Sequence, residues 1–131
     1  MSKLKYDGYY YHLTIEEKKI DSYINIFRFF EKTNKVISVA CSPNYNKAPI
    51  FGNFFPSDDW FNENYENNGN YNITDDKISF TCGKVEYKGT ILSQDKLELF
   101  FYSKINGNEG KIEYKFISFE VLNDIRALED K

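Results

Sequence analysis

From Gly69 onward, apolar and polar side chains alternate with a period of two through five successive runs: GNYNIT, KISFTC, VEYKGTILS, KLELFFYS and KIEYKFISFEV. Ile78, Phe80 and Cys82 share a face against Lys77, Ser79 and Thr81, and Val85, Tyr87, Gly89 and Ile91 oppose Glu86, Lys88 and Thr90. Leu97, Leu99 and Phe101 oppose Lys96 and Glu98 in the same way, and Ile112, Tyr114 and Phe116 oppose Lys111, Glu113 and Lys115. Period two with one charged face predicts antiparallel strands, each buried on one side and wet on the other. The separators Asp75-Asp76, Gly83-Lys84, Gln94-Asp95 and INGNEG are short and polar, with an Asn106-Gly107 step that accepts positive φ, so the strands are expected to form a meander.

Residues 23–39, YINIFRFFEKTNKVISV, fit two patterns. As a helix, Ile20, Tyr23, Ile24, Phe27 and Phe30 fall at helical spacing, and Thr14 with Glu17 makes a capping box. Ile26 and Phe29, however, widen the apolar arc beyond one stripe, and residues 23–30 are rich in strand formers. Lys32-Thr33-Asn34-Lys35 is turn-like and VISVACS reads as a strand, so a hairpin is the expectation, with any helix short and confined to residues 14–20. Residues 43–68 read as a long connection: a loop, a short IFGNFF strand, and a helix start at Pro56 with Ser57 as N-cap and Asp58 and Asp59 in its first turn. VLNDIRALEDK predicts one terminal helical turn and a charged tail. The 131 residues carry no repeat or low-complexity linker, and one domain over 1–131 is expected.

Composition narrows the function classes. Aromatic residues make up 18% of the chain, as 12 Phe, 11 Tyr and one Trp, so rings must supply most of the core volume. Net charge is −3 with acids and bases interspersed, which leaves no basic stripe for a phosphate backbone and argues against nucleic acid. No apolar run approaches the ~18 residues of a membrane span, and the N-terminal stretch lacks a signal-peptide pattern, so a soluble cytoplasmic protein is expected. Cys41 and Cys82 are too few for a disulfide framework or a zinc site and read as buried thiols.

The order of these pieces, GYYYHL, then INIFRFF-turn-VISVACS, a linker with a Trp-Phe pair, then GNYNIT-DD-KISFTC, VEYKGTI, KLELFFYS, INGNEG and IEYKFISF, resembles the small lipocalin-like (calycin) β-barrel proteins of bacteria over roughly residues 8–119. The Gly-x-Trp motif of classical lipocalins is absent; Trp60 lies in the linker and the first strand offers Gly8-Tyr9-Tyr10. The resemblance implies a mainly β fold: one antiparallel up-and-down barrel of about eight strands, with one or two short helices.

Chemistry is sparse. His12 is the only histidine and reads as structural or surface; no phosphate loop, nucleophile elbow or zinc-helix motif is present, so no catalytic residue, metal or cofactor is expected, and an enzyme is the weaker class. The expected function is binding of a small apolar or amphipathic ligand inside the barrel, with Phe80, Tyr87, Phe101 and Tyr114 as wall residues. Gly89 marks either a place where space opens or a strand bend. Arg28 is a possible anchor for an anionic ligand if Ile24, Ile26 and Phe30 face inward. If Phe27 and Phe29 face inward instead, Arg28 lies outside and its stem covers apolar surface. Alternation does not choose, and the outward facing is favoured. The barrel interior is either filled by its own rings or leaves one pocket. The alternative function is a protein-interaction module of inhibitor or immunity type, using exposed rings and the linker around Trp60.

Overall fold

The structure is a computed structural model that describes residues 4–14, 23–41 and 68–129. Trp60, the expected helix start at Pro56 and nearly all of the helix expected over 14–20 lie outside those residues. Eight strands follow in order: β1 (Gly8–Thr14), β2 (Tyr23–Phe30), β3 (Lys35–Cys41), β4 (Asn68–Thr74), β5 (Lys77–Cys82), β6 (Val85–Ser93), β7 (Lys96–Ser103) and β8 (Glu109–Ser118), then helix α1 (Phe119–Glu129). Each strand pairs antiparallel with the next and β8 returns to β1, closing a barrel consistent with a calycin-type fold. No helix of the described residues is long and apolar enough to cross a membrane.

The ambiguous stretch is a hairpin. β2 and β3 pair with Phe27 opposite Ser38 and Phe29 opposite Val36, and the turn between them places Asn34 at φ 56°. Asn tolerates that left-handed conformation because its short polar side chain bonds locally, and Asp75 does the same at φ 57° between β4 and β5. In the β7–β8 turn only Gly107, at φ 73°, takes the positive value.

Two cores explain why residues 23–30 looked helical. Phe27 and Phe29 point into the barrel beside Tyr10, Val36, Tyr71, Ile78, Phe80, Leu97, Leu99 and Tyr114. Their neighbours Ile24 and Ile26 point outward and are equally buried, in a second cluster with Tyr9, Ile37, Val39, Ile117 and Leu122. A strand buried on both faces reads as a continuous apolar run rather than an alternating one. α1 contributes Phe119, Leu122 and Ile125 to that outer cluster.

The C-terminal end corrects the sequence reading. The last strand stops at Ser118 rather than running through SFEV, and α1 occupies 11 residues instead of a single turn. Ser118 is its N-cap: the Oγ accepts the Val121 N–H at 3.2 Å, satisfying one of the helix's free donors. Phe119 N–H bonds the Asp7 carbonyl at 2.8 Å and its ring meets Tyr9 edge-on at 5.0 Å, which fixes the helix across β1.

Candidate functional site

The barrel has two unlike ends. At the lower end, where β2 turns into β3, the segment before β1 folds under the strands and brings Leu4 and Tyr6 against the interior core. Tyr10 accepts the Lys5 N–H at 3.0 Å and donates to the Gln94 carbonyl at 3.1 Å. Tyr71 donates to the Phe30 carbonyl at 3.0 Å, with the Tyr6 hydroxyl 3.4 Å away. Each ring is thus apolar inside and hydrogen-bonded at the rim, the arrangement a buried tyrosine requires. Lys5 seals the outside, 3.0 Å from Asp95 and 5.2 Å from the Phe116 ring centre.

The middle is filled by rings. Phe27 lies 5.0 Å from both Tyr87 and Tyr114 and 5.2 Å from Phe80, and Phe80 stacks on Tyr87 at 4.9 Å. These contacts join β2, β5, β6 and β8 across the barrel, so Phe80, Tyr87 and Tyr114, expected as wall residues, act together as a floor.

Above that floor the interior changes character. Strand alternation from Tyr10 and Phe27 puts His12, Asn25 and Ser38 on the inner face, on three adjacent strands. His12 is directly opposite Asn25, and its ring lies 6.0 Å from that of Tyr114. The Tyr87 hydroxyl hydrogen-bonds Ser38. Phe101 and Ile112 complete the inner face on β7 and β8, and Gly110, opposite Phe101, lets that ring lie over the β8 backbone. His12, Asn25, Ser38, Tyr87, Phe101 and Ile112 are all partly exposed, whereas Tyr10, Phe29, Val36, Ile78, Leu97 and Leu99 in the lower half are buried; Ile73, on the inner face at the lower end of β4, is 38% exposed. β1 and β8 pair from Gly8 opposite Ser118 up to Tyr11 opposite Lys115. Beyond that point a cleft of about 380 Å³, lined by Tyr11, His12, Leu13, Glu113 and Lys115, runs along the seam.

Arg28 takes the outward facing that was favoured, and Gly89 offers the lumen no room. Arg28 is on the outer face, because Phe27 and Phe29 face inward; its guanidinium sits 4.7 Å from the Phe30 ring centre and 4.9 Å from that of Phe119, so it binds α1 to the barrel through two cation–π contacts. Gly89 opens no space: a Cβ there would run into the Glu98 carbonyl and the Leu99 Cα of the adjoining strand. The glycine instead lets the β7 backbone approach closely. His12, Asn25, Ser38 and Ile112 were not singled out as site residues, although polar Asn25 and Ser38 within apolar strands were the available signal. Among the described residues no group of three potential metal ligands occurs. Compared with protein-family models, curated proteins and solved structures, the chain finds no match in any of the three.

Burial shapes the acid–base behaviour of the lumen. It pushes Tyr10 and Tyr87 from their usual value near 10 up to about 12, and the Cys82 thiol from 9 up to about 12; Tyr71 is raised as well. Groups that hold their protons more tightly when folded contribute stability that is whole below their unfolded pKa and is lost as pH rises through the folded one. The fold is therefore expected to lose stability as pH rises from 9–10 through about 12, with the buried tyrosines ionising later than exposed ones. Tyrosinate absorbance recorded beside circular dichroism tests this. Ionisation of all 11 tyrosines near pH 10 in a protein that stays folded would contradict it.

Proposed function

We propose that the protein is a non-catalytic binder of a small amphipathic molecule, taken up in the upper part of the barrel. The observation that carries this reading is the gradient of the lumen: sealed and apolar below, partly accessible and mixed in polarity above. His12 and Asn25 on adjacent strands, with the Ser38–Tyr87 hydroxyl pair beside them, offer donors and acceptors toward one place. The Phe27, Tyr87 and Tyr114 rings give that place an apolar floor, and Phe101 and Ile112 an apolar wall. The ligand that suits it is shallow-seated and small, with a flat apolar part against the rings and one hydrogen-bonding end toward His12, Asn25 and Ser38.

The amphipathic fluorophore 1-anilinonaphthalene-8-sulfonate is a suitable probe. Its fluorescence is expected to rise with the native protein, and Ile112→Trp, which fills the upper lumen, is expected to weaken binding by about tenfold or more while leaving the circular dichroism spectrum unchanged. Phe100→Ala, on the outside, should bind as the native chain does. Absence of binding, or equal binding by the filled variant, would end this reading.

A further inference from the structure

The outer face of β6, β7 and β8 carries a charge pattern that strand pairing arranges in rows. Glu86, Tyr102 and Glu109 are aligned across the three strands; the next row is Lys88, Phe100 and Lys111; then come Thr90, Glu98 and Glu113; and on β7 and β8 alone, Lys96 and Lys115. The sign alternates from row to row: negative, positive, negative, positive. Within the molecule this is uneconomical. Glu98 directly opposes Glu113 and Lys96 directly opposes Lys115, like-charge pairs that disfavour the sheet. The offsetting contacts are diagonal and weak: Lys111 to Glu98 at 3.8 Å, Lys96 to Glu113 at 3.9 Å, and Lys104 to Glu86 at 3.4 Å, all solvent-exposed. Phe100 and Tyr102, 45% and 40% exposed, sit at the centres of the two upper rows.

We propose that this face associates with the same face of a second copy of the chain. A two-fold axis running across the strands, between the two upper rows, sets each row against the other. Glu86 of one copy then faces Lys88 of the other, Glu109 faces Lys111, and Tyr102 faces Phe100, with every contact made twice. Such an isologous contact requires a surface complementary to itself, and rows of alternating sign flanking two rings supply one. The axis between the two upper rows is preferred over one lower on the face because it alone brings the exposed rings together. Three strands about 4.8 Å apart offer less than the ~800 Å² per partner of a standard interface, so the dimer belongs to the weak, salt-sensitive class. This surface lies outside the barrel and is independent of the lumen.

Sedimentation velocity tests it. The native chain should shift from monomer to dimer with rising concentration at low ionic strength, and back to monomer at about 0.5 M salt, where screening shortens the reach of the charges to a few ångströms. Lys88→Glu with Lys111→Glu makes both upper rows negative, and Glu86→Lys with Glu109→Lys makes both positive; each double variant alone should lose at least about tenfold in self-association. An equimolar mixture of the two should form the mixed dimer. Should a charge-reversed chain fail to fold, Phe100→Ser with Tyr102→Ser carries the same test through loss of the dimer. A native chain that stays monomeric at about 1 mM in low salt, double variants that dimerise as it does, or a mixture that does not associate would each overturn the proposal.

Discussion

Replacing Phe27 with alanine is expected to lower the unfolding free energy by about 3 to 5 kcal/mol, a large part of the stability of a domain this size. Phe27 is 1% exposed and meets the rings of Phe29, Phe80, Tyr87 and Tyr114 at centroid distances of 5.0 to 6.3 Å. Removing its ring takes away the apolar burial and the edge-to-face contacts together, and leaves a void that the surrounding rings, one on the same strand and three on β5, β6 and β8, cannot collapse to fill. Phe100, on the outer face of β7, provides the contrast: its ring is half in water, and alanine there is expected to change stability by less than about 1 kcal/mol. Urea unfolding of the two variants, at protein concentrations low enough to keep both monomeric, measures the difference. Similar losses in both would mean that the barrel interior is not the main source of stability.

Gly89→Ala is expected to cost about 3 kcal/mol or more, although it adds a single methyl group. The methyl would overlap backbone atoms of Glu98 and Leu99, which cannot rotate away as a side chain does, so β6 and β7 must separate where they are paired on both sides of the site. Gly69 has the same relation to the Thr81 carbonyl on β5. These glycines let neighbouring backbones approach more closely than a side chain would allow. Gly107 separates this effect from ordinary turn strain: nothing lies within 4 Å of a Cβ built there, and its φ of 73° is the sole obstacle. Gly107→Asn, a residue that tolerates the left-handed region, should cost less than about 1 kcal/mol. Thermal melts of the two variants decide the matter, and a Gly89→Ala protein as stable as Gly107→Asn would refute the close-approach account.

The candidate site was readable only in part. The inward facing of Phe80, Tyr87, Phe101 and Tyr114 was readable because their strands keep one wet face. His12, Asn25 and Ser38 were not, because each belongs to β1, β2 or β3, where outward positions such as Tyr9, Ile24, Ile26, Ile37 and Val39 are as apolar as the inward ones. Arg28 illustrates the same difficulty. Flanked by apolar residues on both sides, it fitted an interior anchor as well as the favoured outward facing, and the register of β2 against β1 and β3 makes it the strut between Phe30 and Phe119.

By itself, the amino-acid order determined the meander of β4 to β8, its turns and the inward set on those strands, because period-two alternation with one charged face admits a single orientation. It also favoured a hairpin over residues 23–39 through strand propensity and turn chemistry. Tertiary structure alone decided the facing of β1 to β3, the length of α1, the closed lower end and the role of Gly89. Those features depend on which surfaces meet: Ile24 and Ile26 on the outer face of β2 are buried in a second cluster to which α1 contributes, so both sides of the strand are apolar and the alternation that would have revealed its orientation is lost. A glycine's neighbour across a strand pair is likewise a matter of how the sheet curves, and curvature is a property of the assembled barrel rather than of any one segment.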